Sequence, residues 1–385
     1  MSEAPYTLYG MAASLYTGKV RAYMRHHGIP FEERGAGHAE YGEDIVPKLG
    51  RFIVPAVVKP DGSLIQDGTD ILDYFEERGL SKKSIYPEDA TLKAVAYLFE
   101  LFGGEGLLRP AMHYRWNFDA DNLAFIKGSF DDVLPGGLST EENQKMFEFA
   151  SGRMRQAAVA FGVVPDAMKT IEETYTDFLK RFDAHLAQSY FLLGGHATIG
   201  DYGLFNPLFA HLGRDPHPAM LMKQTAPRVF KWLERMNGPE TFQDHTVDWE
   251  GEGLFASGAV PETLKDLMRY VAEEYLPEIT AHVAFANNWL AERPDIEPGT
   301  NGLEDPAQRA IGMSEFNWRG HQVKTMVMPY RFYLLQRLTD CFAQAGDAEQ
   351  KEIRALFAET GLDAMLDLRT TRRVERANHL EVWGE

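Results

Sequence analysis

The 385-residue sequence has a single cysteine, Cys341. One cysteine excludes an intramolecular disulfide, a CxxC redox pair and a cysteine-rich zinc site. No run of about 18 apolar residues occurs, so no transmembrane helix is expected. The first residues lack the basic and apolar regions of a signal peptide. We therefore expect a cytoplasmic protein without a membrane partner.

Positive charge is also scarce. Lys and Arg total 39 against 57 Asp and Glu, which gives a formal net charge of −18. Such a surface repels the phosphates of nucleic acids and of anionic membranes. Nucleic acid is therefore not expected as a partner. The hydrophobic share of 44% is sufficient for a sizeable core.

Three zones follow one another, and the length is compatible with two or three domains. Residues 1–82 read as strand, helix, strand, then strand, strand, helix, which predicts a small mixed sheet flanked by helices. Residues 88–245 read as helical throughout, and residues 250–385 as a mostly helical extension of unknown role. The predicted class is therefore α+β.

The boundaries of several elements depend on periodicity alone. The apolar spacing predicts one long helix over 88–116 and another over 261–292. The segment 314–328 fits a strand or an irregular stretch, since its apolar residues follow no single period.

Ser14 lies in a loop between the first strand and a helix predicted to begin near Thr17. Backbone N–H groups at a helix N-terminus are unpaired, and the helix dipole favours an anion such as a thiolate there. Serine is also one of the preferred residues for capping a helix. The residues alone leave both roles open.

Two further turns have the chemistry of a ligand site. Pro55 opens a predicted strand, which makes it a candidate cis-proline and would expose the backbone of Val54 to a ligand. Asp67 lies in a strand-to-helix turn. There the helix N-terminus could bind the carboxylate of a zwitterion and Asp67 its ammonium group.

The order of these features resembles the thioredoxin-like domain of the glutathione transferases. The segment 191–204 resembles the helical-domain signature of that family, with Thr198 and Asp201 as its capping box. Together the resemblance covers about residues 5–240. It implies a thioredoxin-like N-terminal domain, an all-helical C-terminal domain, and glutathione as the co-substrate.

The resemblance also assigns roles to single residues. Ser14 would donate a hydrogen bond to the glutathione sulfur and favour its thiolate, with Tyr9 and Tyr16 as alternative donors. The further glutathione contacts would be the backbone of Val54 held by cis-Pro55, the γ-glutamyl anchor of Asp67 and Gly68, and Arg51 at the glycyl carboxylate. The family usually has serine where Gly68 stands, which removes one hydroxyl contact.

His113, Tyr114 and Trp116 end the first long helix of the second zone. In the family this helix faces the active cleft, so the three residues are candidates for the pocket of an electrophile, with core packing as the alternative. No metal-ligand spacing occurs, so no metal is expected.

The implied activity is attack of the glutathione thiolate on a small apolar electrophile, in a homodimer. Two other readings stay open. One is a non-catalytic binding or scaffold protein with the same fold, and the other is a glutathione-dependent lyase, dehalogenase or isomerase.

Overall fold

A computed structural model describes residues 5–238, 247, 249, 251 and 253–385. These residues form two compact units. Those of the first unit lie in 5–84, 111–158 and 205–238, and those of the second lie in 85–110, 159–204 and 247–385. The grouping differs from the consecutive zones of the sequence, whose boundaries stay a prediction. Residues 245 and 250, at the expected start of the extension, lie outside the described residues.

Helices dominate both units, and the α+β class is confirmed. The strands are β1 (Tyr6–Gly10), β2 (Phe31–Gly35), β3 (Ala56–Val58), β4 (Leu64–Ile65), β5 (Gly312–Trp318), β6 (His321–Val327), β7 (Val374–Ala377) and β8 (Leu380–Trp383). The α-helices are α1 (Thr17–His27), α2 (Val46–Leu49), α3 (Gly68–Glu77), α4 (Ala90–Leu101), α5 (Leu108–Trp116), α6 (Asp119–Ser129), α7 (Thr140–Ala160), α8 (Met168–His185), α9 (Ile199–Pro207), α10 (Pro216–Thr225), α11 (Pro227–Asn237), α12 (Glu262–Glu274), α13 (Leu276–Ala291), α14 (Pro329–Gln344) and α15 (Asp347–Glu359). None of the described helices is long and apolar enough to cross a bilayer.

The first unit contains a four-stranded sheet in the order β2-β1-β3-β4. β1 pairs in parallel with β2 and antiparallel with β3, and β3 pairs antiparallel with β4. The parallel pair requires a crossover, which α1 supplies. α1 ends at Gly28, whose left-handed φ of 68° lets its N–H return to the last turn of the helix. The predicted thioredoxin-like arrangement of strands and helices is confirmed.

The two faces of β1 have different neighbours. The Tyr6 ring lies 5.1 Å from the ring of Phe75 on α3. Because side chains alternate along a strand, Tyr9 lies on the opposite face. There it joins a buried cluster with Tyr41 and Ile45. The strand therefore directs Tyr9 away from the face that α3 covers.

Both long helices expected from the sequence are divided, so those two predictions are wrong. Between α4 and α5 the chain forms a π-helical turn, Phe102–Gly106. A Cβ at Gly103 would lie 2.3 Å from the backbone nitrogen of Leu204, so only glycine permits this approach of α4 and α9. The second long helix breaks at Tyr275, and Pro277 lies in the first turn of the new helix, where its missing N–H is tolerated.

The segment that followed no single period is a β-hairpin. β5 pairs antiparallel with β6 through a turn at Arg319 and Gly320. Alternate residues are buried on each strand, among them Phe316 and Trp318 on β5 and Val323 on β6. The polar residues that alternate with them face outward, so neither strand of the hairpin is a continuous apolar run in the sequence.

A cluster of buried charges lies inside the second unit. Arg331 Nε donates to Glu105 Oε2 at 3.0 Å, and its Nη1 donates to Glu278 Oε1 at 2.6 Å. Arg109 Nη2 donates to the other oxygen of Glu278 at 2.5 Å. All four side chains are at most 5% exposed. Although burial alone would raise it, the two guanidiniums hold the pKa of Glu278 down to about 2. The cluster joins residues 105 and 109 to residues 278 and 331 within one unit.

We expect Arg331→Met to lower the free energy of unfolding by about 3–5 kcal/mol, because it leaves buried carboxylates without their cation. Arg354→Met is the matched control, since Arg354 pairs with Asp367 at 2.9 Å on the surface. Its loss should cost under about 1 kcal/mol. Urea unfolding followed by circular dichroism measures both values, and equal losses would contradict a special role for the buried cluster.

His185 is a buried neutral histidine in the same unit. Its Nε2 lies 2.8 Å from the carbonyl oxygen of Leu192 and therefore carries the proton, which leaves Nδ1 to accept from the Thr263 hydroxyl at 3.0 Å. Burial lowers the pKa of His185 from 6.5 to about 4. Below pH 6.5 the unfolded chain therefore binds a proton that the folded protein does not.

This linkage predicts that stability falls as the pH drops from 6.5 towards 4. The contribution of His185 should reach about 3 kcal/mol, at about 1.4 kcal/mol for each unit of pKa. Comparison of urea unfolding at pH 7 and pH 4 for the wild type and for His185→Gln isolates this contribution. If His185→Gln loses as much stability as the wild type between pH 7 and pH 4, the predicted contribution of His185 is refuted.

Candidate functional site

Ser14 occupies the loop that leads from β1 into α1. Its N–H donates to the carbonyl oxygen of Met11 at 3.1 Å, which closes a tight turn. Its Oγ accepts from the N–H groups of Tyr16 and Thr17, each at 3.2 Å. Ser14 thus satisfies the first backbone N–H of α1, while Tyr16 occupies the N-cap position. Among the described residues, none accepts a hydrogen bond from the Ser14 hydroxyl.

His211 contacts this loop, and no motif in the sequence indicates that contact. Its Nε2 lies 3.2 Å from the carbonyl oxygen of Ala13, and its Nδ1 lies 3.1 Å from that of Ala111. Burial, and next the charge of Arg115, lower the pKa of His211 well below its ordinary value. The neutral ring carries one N–H, so it donates to one of the two carbonyls at a time.

The hydroxyl of Tyr9 is hydrogen-bonded on the face of β1 that α3 does not cover. Its hydroxyl donates to Glu40 Oε2 at 2.6 Å, and Arg34 Nη1 lies 3.4 Å from the same hydroxyl. The ring is fully buried. Burial and the hydrogen bond to Glu40 raise the pKa of Tyr9 to about 12. Its proton is therefore committed to a neighbouring carboxylate.

The peptide bond between Val54 and Pro55 is cis, which confirms the prediction for Pro55. Val54 is half-buried and packs, as Met11 does, against the cluster that contains Tyr9 and Tyr41. A side chain at Gly68 would begin 3.8 Å from Pro55 Cγ and 3.7 Å from the carbonyl oxygen of Tyr16. The structure therefore brings the cis-proline, the start of α3 and the start of α1 together.

Asp67 is the N-cap of α3. Its Oδ1 accepts from the N–H groups of Thr69 at 3.0 Å and Asp70 at 3.2 Å. Aspartate is a favoured capping residue because it accepts from these otherwise unpaired donors and carries negative charge at the positive end of the helix. Within the described part of the chain, Oδ2 takes no hydrogen bond. One carboxylate oxygen of Asp67 therefore starts the helix, and the other is not used by the described residues.

Two buried basic residues complete this region. Arg51 is 7% exposed and precedes the cis-proline loop. Lys19, on α1, is 4% exposed, and its Nζ donates to the Thr69 hydroxyl at 2.7 Å. Lys19 also donates its backbone N–H to Asn206 Oδ1 at 2.8 Å. Lys19 therefore joins the starts of α1 and α3. This contact could not be predicted from the apolar pattern of the helix.

His113, Tyr114 and Trp116 are at most 4% exposed. The Tyr114 ring stacks on Phe118 with centroids 5.3 Å apart, and the Tyr114 carbonyl oxygen accepts from Asn122 Nδ2 at 2.8 Å. These contacts belong to a packed helical core. A role in the pocket of an electrophile stays a prediction for all three.

Among the residues that the structure describes, no group of three or more His, Cys, Asp and Glu side chains is arranged to hold a metal ion. Cys341 is half-buried, and burial raises the pKa of its thiol to about 11. A thiol with that pKa is a poor nucleophile at neutral pH.

Two known domains match this chain. Residues 8–80 match the N-terminal domain of glutathione S-transferases, and residues 165–235 match their C-terminal domain. Both matched segments are domains of the glutathione S-transferase family, and together they span less than half of the chain. The first match contains Ser14, the cis-proline and Asp67, so the site described above is part of the family's N-terminal domain. No curated protein matches the chain.

Solved structures with a similar fold include a β-etherase, LigF, from Sphingobium sp. strain SYK-6, with 19% identity, coverage of 61% of this chain and 95% of that one, and a TM-score of 0.44. A glutathione transferase, GSTFuA3, from Phanerochaete chrysosporium has 15% identity, coverage of 63% and 100%, and a TM-score of 0.43. A glutathione S-transferase of Ceriporiopsis subvermispora in complex with glutathione has 17% identity, coverage of 63% and 100%, and a TM-score of 0.40. Each of these similarities concerns the fold.

Proposed function

We propose that this protein is a glutathione transferase in which the Ser14 hydroxyl stabilises the thiolate of glutathione for attack on a small apolar electrophile. The observation that carries the proposal is the hydrogen bonding of Ser14. Two backbone N–H groups occupy its oxygen as acceptor and leave its hydrogen available as a donor. A hydroxyl polarised in this way donates more strongly to an anion, because hydrogen bonds in a chain polarise one another.

The contacts of the alternative donors favour Ser14. Tyr9 gives its proton to Glu40 and would have to break that bond to serve a thiolate. Tyr16 contributes its backbone N–H to Ser14, and its phenol remains the second candidate. Ser14 also lies at the positive end of α1, where a thiolate gains about 0.3–1 kcal/mol from the helix dipole.

The rest of the tripeptide has partners of suitable chemistry. The backbone of Val54 beside cis-Pro55 would pair with the cysteinyl unit. The Gly68 N–H and Asp67 Oδ2 would take the carboxylate and the ammonium of the γ-glutamyl end, and Arg51 the glycyl carboxylate. Glutathione carries a net negative charge, so a protein of net charge −18 must bind it through local donors such as these.

The alternatives share this glutathione site. A lyase, dehalogenase or isomerase would differ in what happens to the second substrate, and a scaffold protein would bind without turnover. The homodimer implied by the family resemblance and the cytoplasmic location expected from the sequence are likewise proposals.

The Ser14→Ala variant tests the catalytic role. Loss of one hydrogen bond to the thiolate, about 1.5–3 kcal/mol, should raise the pKa of bound glutathione by one to two units. Titration of thiolate absorbance in the complex measures that pKa, and conjugation to 1-chloro-2,4-dinitrobenzene should slow at least tenfold at pH 6.5. Ser139→Ala is the matched control, because Ser139 Oγ accepts from the N–H of Glu142 at 3.3 Å at the start of α7.

The results of these measurements distinguish the proposed function from its alternatives. Failure of the wild type to bind millimolar glutathione in calorimetry would refute the proposal. An unchanged thiol pKa in Ser14→Ala, together with a raised one in Tyr16→Phe, would move the role to Tyr16. Binding with a low thiol pKa but no conjugation of any electrophile would favour the lyase or scaffold readings.

Replacements of Asp67 separate its two roles. Asp67→Ala removes both the cap and the charge, so it should lower the free energy of unfolding by about 1 kcal/mol and weaken glutathione binding. Asp67→Ser keeps a capping oxygen and should retain the stability, while glutathione affinity still falls about tenfold through loss of the ammonium contact. Urea unfolding and calorimetry measure the pair. Full affinity in Asp67→Ser would show that the carboxylate serves the helix alone.

A further inference from the structure

The first unit contains a cavity of about 410 Å³ beside the Ser14 loop. One wall is the chain at Met11 and Ala12, which runs directly into Ser14. Three arginines line the cavity: Arg21 and Arg25 on α1, and Arg214. A cavity bordered by three guanidiniums is unusual in a chain with so large an excess of acidic residues.

Arg21 is the buried member of the three, at 4% exposure. Its Nε donates to Glu33 Oε2 at 2.6 Å, and its Nη2 donates to the other oxygen of the same carboxylate. Its Nη1 is buried and has no hydrogen-bond partner among the described residues. Leaving a charged donor buried without an acceptor is costly, so an acceptor in the cavity would relieve that cost.

Arg25 and Arg214 add positive charge to the same space. Arg25 Nη1 donates to the side chain and the carbonyl oxygen of Asn237, at 3.1 and 3.0 Å. The Arg214 guanidinium lies 5.5 Å from the centre of the Phe209 ring, and its Nε is buried without an acceptor in the described chain. Burial, and then the charge of Arg21, lower the pKa of both arginines. Arg21 is therefore close enough to repel each of the other two cations.

The charge balance indicates the kind of anion that fits. Two carboxylates, Glu33 and Asp132, line the cavity with the three guanidiniums, which leaves one positive charge. A monoanion neutralises that charge, whereas a phosphate dianion would leave a surplus. Met11 and Phe209 add apolar surface beside the charged groups. The lining therefore matches a molecule with an apolar body and a single carboxylate.

We propose that this cavity binds a small organic acid through one carboxylate, with Arg21 Nη1 and the Arg214 guanidinium as the donors and Phe209 against the apolar body. Guanidinium groups suit a carboxylate because their planar donors match its two oxygens. This binding goes beyond the proposed function and does not require glutathione. The acid would lie next to the loop that carries Ser14.

Benzoate and benzamide are the probes, since they share a ring and differ in charge. Calorimetry or ligand-observed NMR of the full chain, without glutathione and at low salt, should show benzoate binding at least tenfold more tightly than benzamide. Arg214→Gln should weaken benzoate at least tenfold, about 1.4 kcal/mol, and leave benzamide unchanged. Arg153→Gln is the matched control, because it removes one exposed positive charge of the same unit away from the cavity.

Glu33→Gln supplies a test in the opposite direction. It removes the carboxylate that competes for Arg21, so benzoate affinity should rise while benzamide affinity stays the same. This variant keeps the proposal testable if Arg214→Gln fails to fold. Equal affinity of the wild type for the two probes would overturn the proposal. So would equal benzoate affinities in Arg214→Gln and Arg153→Gln, or a fall of benzoate affinity in Glu33→Gln.

Discussion

The burial of guanidinium groups is the constraint on which much of this structure depends. A buried cation is tolerated only where carboxylates and acceptors replace the water that it loses. In the second unit, Arg109 and Arg331 share the two oxygens of Glu278, and Glu105 takes a further donor of Arg331. There the buried guanidiniums are paired with carboxylates of the same unit. In the first unit Arg21 has one carboxylate for two of its donor atoms and keeps a third donor at a cavity. The same residue type thus stabilises a core in one place and leaves an unsatisfied donor for a ligand in another.

The N-terminal site is built around the starts of two helices. Ser14 and Asp67 each accept from N–H groups at the beginning of a helix, α1 and α3. A residue that caps a helix has its position set by the backbone, so its remaining donor or acceptor points in a fixed direction. Capping and ligand binding are therefore compatible uses of one side chain. This arrangement suits an acidic protein, because backbone dipoles attract an anion without adding a formal positive charge.

The sequence was informative where local chemistry decides the structure. The bounds of α1 follow from its apolar spacing and its terminal glycine, and the cis bond at Pro55 follows from proline at the start of a strand. The division of the segment 88–116 depends instead on the packing of Gly103 against Leu204, about a hundred residues away. His211 and Lys19 likewise act through partners distant in sequence, at Ala13 and Thr69. No periodicity records such contacts, so the supports of the site were found only in the structure.

The extension is best understood through the same long-range contacts. Its residues form one compact unit with residues 85–110 and 159–204, and Arg331 from the extension supplies the cation for Glu105 at the end of α4. Removal of the extension would leave that carboxylate buried without its partner, which costs several kcal/mol. A truncated chain would therefore lose stability whatever else the extension does. Its contribution to function has to be separated by single substitutions on its surface, because only these leave the shared core intact.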